Sequence, residues 1–152
     1  MDTTFLSLPA NRDRILNIIA ALLVFLFIYT AVSKLTNFTE FQQQMKNQAL
    51  PAWLSKLSIW SLPAMEILTA LLLINQKTRH MGLWLCMILL MTFTAYIAYV
   101  LFGLAGRLPC SCGGVLKAMS WRTHLLFNIF FLLLSAIGIK LINRERRTPG
   151  KL

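Results

Sequence analysis

Two cysteines one residue apart, Cys110 and Cys112 in the stretch RLPCSCGGV (107–115), are the side chains of this chain best suited to covalent chemistry. Thiols at this spacing can cycle between dithiol and disulfide, form a lasting bridge, bind a metal or stay inert. Fully extended, residues two apart place their Cα atoms roughly 6.6–7.2 Å apart, whereas a disulfide needs about 4.4–6.8 Å. The pair therefore closes only if the chain turns, which Ser111, Gly113 and Gly114 make easy. A bridge in so small a ring is strained, and strained bridges are labile and redox-active. Cross-linking so short a loop also adds little stability. Arg107, Lys117 and Arg122 place positive charge around the pair, and a helix starting near Val115 would add its N-terminal dipole; both favour thiolate. A metal site needs three or four ligands, and only the two thiols and His124 can be counted. A redox dithiol ranks first, a structural bridge second and a metal third, so no metal is expected. Cys86 stands 18 residues before Leu104, about 27 Å away by the helical rise. It reads as a small hydrophobe.

Other candidates are polar residues set in apolar surroundings. Glu66 is the one acidic residue within an apolar run, and an ionisable group there is a functional hypothesis by default. Pro63, three residues earlier, frees a backbone carbonyl and suggests a kink beside a lined cavity. Glu66 then serves as a proton acceptor near the redox centre, or as the ion-pair partner of Lys34, or both. In SWRTHLLFN, Ser120 suits a helix N-cap. Trp121, His124 and Asn128 follow at i, i+3 and i+7, on one helical face. His124 could exchange protons or hydrogen-bond a quinone carbonyl, or reach out to water. Trp121 reads as part of an interfacial aromatic belt, and Asn128 as a hydrogen bond between helices.

The elements that must position these residues are membrane helices. The chain is 57% hydrophobic and 13% charged, whereas soluble domains are about a quarter charged. A membrane span needs about 17–25 apolar residues, and four runs qualify: 15–33, 57–74, 81–104 and 123–142. None alternates in polarity, so an all-α, four-transmembrane-helix bundle is expected as a single domain over 1–152, with a lipid bilayer as its surroundings. The first run is too long for the core of a signal peptide and is read as retained. The net charge of +10 flanks the apolar runs and forms no stripe with interleaved aromatics, so nucleic acid is not expected. Phe25, Phe27, Phe93, Phe130 and Phe131 read as lipid-facing or packing residues.

Sidedness follows from Lys and Arg. Arg12, Arg14, Lys77, Arg79, Lys140, Arg144, Arg146, Arg147 and Lys151 fall on one side, nine in all; Lys34, Lys46, Lys56, Arg107, Lys117 and Arg122 make six on the other. Both termini are thus expected in the cytoplasm. The thiol pair then faces outward, where disulfides persist, and Glu66 belongs to the outer half of its helix. In the first outer loop Phe38, Phe41 and Met45 recur at i, i+3 and i+7. They predict a short amphipathic interfacial helix, opened by an Asn37–Glu40 capping box and ended near Leu50-Pro51.

YTAVSKLTNFTEF and PAMEILTALLLI resemble the DoxX-like superfamily of small four-helix membrane proteins, through Ser-Lys-Leu closing the first helix and Pro-x-x-Glu in the second. LPCSCGGVLKAMSWRTHLLFN is similar to the redox-associated branch that contains the methylamine utilisation protein MauE. The resemblance covers about residues 12–142. It implies a multi-pass protein of the bacterial inner membrane associated with methylamine dehydrogenase maturation, through disulfide formation or electron transport. The architecture also resembles DsbB and vitamin K epoxide reductase, membrane dithiol oxidases that use quinone. Those carry Cys-x-x-Cys and a second cysteine pair; this chain has Cys-x-Cys and no second pair, which favours direct exchange with a separate partner.

The expectation is thus a membrane thiol-disulfide oxidoreductase. Cys110 and Cys112 exchange electrons with a periplasmic thioredoxin-like or cysteine-rich client, and a quinone lies near Glu66, Lys34, His124, Trp121 and Asn128. The alternative is a non-enzymatic assembly subunit with structural cysteines. Transport through the Glu66 cavity ranks third.

Overall fold

A computed structural model of the chain describes residues 9–48, 51–103 and 120–146. Cys110 and Cys112, with the rest of the segment 104–119, lie outside the described residues. Among the described residues there are five helices: α1 (Pro9–Thr36), α2 (Phe38–Lys46), α3 (Ala52–Ile74), α4 (Arg79–Leu101) and α5 (Trp121–Arg146). All but α2 are long and apolar enough to cross a membrane, over 25 residues in α1 and 23 in each of the others. α1 packs chiefly on α3 and α4 on α5, while α3–α4 and α1–α5 contacts close the ring.

Each long helix has one buried stripe and one exposed stripe. Leu16, Ile19, Leu23 and Leu26 of α1 meet Leu73, Leu83, Cys86 and Ile139 in a common core. On the outside, Ile15, Ile18, Leu22 and Phe25 line α1, and Leu126, Phe130, Leu133 and Ile137 line α5. Exposed apolar faces on this scale require hydrocarbon around them.

The helices differ from the predicted runs at their ends. α4 stops at Leu101, three residues early, because Gly103 takes a left-handed φ of 72°. The Phe102 and Gly103 amides close the last turn on Ala98 O at 2.9 Å and Val100 O at 3.1 Å, a glycine-terminated helix end. α3 begins at Ala52, five residues early, because its first turns pack against α2. Glu66 is consequently 14 residues from the start of α3, roughly 21 Å, and eight from its end, roughly 12 Å. It sits a little past the middle of α3, as it also does in the shorter predicted run, where it is nine residues from the start and eight from the end. At α5, Ser120 is the cap the sequence suggested: Thr123 N donates to Ser120 Oγ at 3.2 Å.

The short helix α2 exists, but the capping box does not. Asn37 makes no side-chain cap. Its amide still donates to Ser33 O, at 3.4 Å, and its carbonyl accepts from Phe41 N at 2.9 Å. It is a one-residue break between two nearly continuous helices, with a φ of −111° and ψ of 46° rather than the extended conformation of a capping residue. α2 ends at Lys46, short of Leu50-Pro51, with Asn47 folding the chain back onto its last turn. Its apolar face is the one expected: Phe41 and Met45 are buried against Ile59, with Phe38 and Leu62 packed alongside.

Candidate functional site

The polar residues singled out by the sequence converge at the end of the bundle where α1 finishes, α3 and α5 begin, and α2 lies across. Lys34 Nζ lies 2.6 Å from Glu66 Oε1. Two features of the helices bring these residues together. They are antiparallel neighbours, and each side chain leans toward the N-terminus of its own helix. Lys34, near the end of α1, therefore leans into the bundle, and Glu66 leans back toward it. The Lys34 side chain is 16% exposed and that of Glu66 2%, so the pair is largely out of solvent. α3 runs unbroken through Pro63, which is itself buried.

Beneath α2 these residues line a cavity of about 110 Å³, several times the roughly 10–15 Å³ a cavity needs to hold one water molecule. Lys34 and Thr30 contribute from α1, Glu66 from α3, Tyr96 from α4, and His124 and Asn128 from α5. Its remaining walls are mostly apolar and rich in aromatic rings, among them Phe27, Phe41, Phe93 and Phe127. Among the described residues, two buried polar atoms of this lining have no hydrogen-bond partner, Glu66 Oε2 and Asn128 Nδ2. An unpaired buried polar atom costs about 1–3 kcal/mol, so two in one cavity define a place where something polar belongs.

Of the residues expected at this site, Lys34, Glu66, His124 and Asn128 line one cavity. Trp121 opens α5, and its side chain lies outside the described residues, as do Cys110 and Cys112. Gly103 and Ser120, the described residues on either side of the segment with the two cysteines, are both at the cavity end of the bundle, beyond the α4 and α5 residues that line it. Among the described residues no cluster of three or more potential metal ligands occurs. Cys86 is fully buried in the common core.

Sequence reasoning missed four residues. Tyr96 lines the cavity and donates from its hydroxyl to Gln48 Oε1 at 2.5 Å, tying α4 to the segment after α2. Thr30 was legible, since it lies four residues before Lys34 and shares its face. Phe93 was read as a lipid or packing residue, although it precedes Tyr96 by three and faces the same way. Gln48 carried no signal, because a glutamine in a polar loop looks like any other.

Nearly the whole bundle is covered by one family description: "Methylamine utilisation protein MauE" matches residues 12–141. The chain belongs to the MauE family. Together with its four spanning helices, this makes it a multi-pass membrane protein in contact with the lipid bilayer. No curated protein and no solved structure matches it. The MauE match runs from the first turns of α1 into the last turns of α5. It therefore takes in every cavity-lining residue named above and the Cys-Ser-Cys sequence.

Proposed function

We propose that this MauE-family protein is a thiol-disulfide redox protein of the bacterial inner membrane, serving the maturation of a cysteine-rich or thioredoxin-fold periplasmic client in methylamine utilisation. The supporting observation is the Cys110-Ser111-Cys112 pair in the segment between α4 and α5, whose flanking residues sit at the cavity end of the bundle. The family description supports the metabolic setting, and the excess of Lys and Arg at the opposite end supports a periplasmic position for the pair.

In this reading a client thiolate attacks the Cys110–Cys112 disulfide and forms a mixed disulfide. A second client thiol resolves it, leaving the client oxidised and the pair reduced. Reoxidation of the pair releases two electrons and two protons to a membrane quinone.

The test uses whole cells and a membrane-impermeant alkylating reagent, with and without reductant, on the natural chain and on Cys110→Ser and Cys112→Ser. The expected result is a reductant-dependent dithiol labelled from outside, and a trapped mixed disulfide in one single variant. Labelling only after the membrane is opened, or client oxidation unchanged when both sulfurs are replaced, overturns the reading and leaves an assembly subunit in its place.

A further inference from the structure

The two unpartnered atoms in the cavity specify its ligand more narrowly than the cavity's shape does. Glu66 Oε2 is a hydrogen-bond acceptor and Asn128 Nδ2 a donor, and their residues are 1% and 5% exposed. The occupant must therefore offer an acceptor to Asn128, a donor to Glu66, or each in turn. It must also be neutral overall. Lys34 already balances Glu66, and a further charge brought into this buried site would lack a counter-charge, which is strongly unfavourable. Finally, a flat ring suits a lining that includes Phe27, Phe41, Phe93 and Phe127, because aromatic side chains pack well against another ring.

A neutral, flat ring that alternates between carbonyl and hydroxyl meets all three demands. We infer that the cavity beneath α2 is the headgroup site of a membrane quinone, with Asn128 Nδ2 donating to a ring carbonyl and Glu66 Oε2 accepting from a ring hydroxyl after reduction. This rests on the redox reading above, which supplies the electrons, and assigns them a destination. The balance closes. Two sulfhydryls lose two electrons and two protons as the S–S bond forms, and the two ring carbonyls gain them to become hydroxyls. The orphan donor suits the oxidised ring and the orphan acceptor the reduced one, so the site holds both ends of the couple.

The experiment titrates decylubiquinone into the purified full-length protein in lipid nanodiscs. Saturable binding is expected, weakened roughly tenfold in Asn128→Leu by loss of one buried hydrogen bond. The melting temperature of ligand-free Asn128→Leu should be unchanged or raised, because the substitution removes an unsatisfied donor from an apolar site. Ser55→Ala is the control. Its Oγ is also buried and unpartnered, but Ser55 does not line the cavity, so binding should be unchanged. Should Asn128→Leu not accumulate, Asn128→Ala removes the same donor without added bulk and is read in the same way. Absence of saturable binding, or equal affinity in the natural chain and the Asn128 variant, overturns the inference and leaves a water-filled cavity. The redox reading fails separately. A Cys110→Ser/Cys112→Ser double variant should still bind decylubiquinone, since the site uses neither sulfur, and loss of binding there would count against the cavity as the site.

Discussion

Lys34 and Glu66 meet at 2.6 Å across the α1–α3 contact, 32 residues apart in sequence, and only one of the two Glu66 oxygens is engaged. Removing one member of a buried pair leaves an uncompensated charge, which destabilises by about 3–5 kcal/mol, whereas replacing both with apolar residues is often neutral. Lys34→Met and Glu66→Met are each expected to lower resistance to denaturation in detergent by that order, and the double variant to recover most of the loss. A double-mutant cycle on unfolding midpoints checks this. Additive single effects would mean the contact contributes nothing.

Tyr96 and Gln48 form the second long-range tie at the same end. Tyr96→Phe deletes the hydroxyl and keeps the ring, so the lost hydrogen bond should cost about 1 kcal/mol. The effect should be local: faster amide hydrogen exchange across 38–46, with α5 unaffected. Uniform acceleration throughout the bundle would show instead that Tyr96 supports the whole fold.

The sequence made the four spans legible because hydrocarbon tolerates little besides apolar residues over 20 or so positions. It was weaker at their ends, which are set by single events such as the left-handed Gly103 and by contacts with α2 that no run of hydropathy encodes. The site followed the same division. Lys34, Glu66, His124 and Asn128 stood out because a polar group among apolar neighbours needs a reason to be there. Tyr96 did not, because a tyrosine near a helix end already has an ordinary interfacial explanation. The capping box failed for a physical reason: α1 continues to Thr36, so the Asn37 backbone completes one helix while starting the next.

Gly82 carries a prediction about the α3–α4 turn. A Cβ there would lie 2.9 Å from Leu73 N and 3.0 Å from the Leu72 carbonyl carbon, backbone atoms that cannot step aside. At Gly138 the nearest atoms are the Leu83 Cδ methyls at 3.1 and 3.2 Å, which can rotate away. Gly82→Ala should therefore destabilise by about 1–3 kcal/mol, in the range of overpacking, and Gly138→Ala by clearly less. Thermal unfolding of the two variants side by side checks the order, and equal losses would contradict it.

Cys86 bears directly on any thiol experiment with this protein. It is 0% exposed and packs among Leu23, Leu83 and Leu90 in the common core. No alkylating reagent can reach it without opening the bundle, so its modification tracks unfolding rather than thiol reactivity. Mass spectrometry after maleimide treatment of the folded, reduced protein should find Cys86 unmodified over a time in which a denatured sample reacts fully. Cys86→Ala removes only a small apolar volume and should leave labelling of the remaining cysteines unchanged. Rapid modification of Cys86 in the folded state would mean that the α1–α4–α5 core opens far more readily than its packing allows.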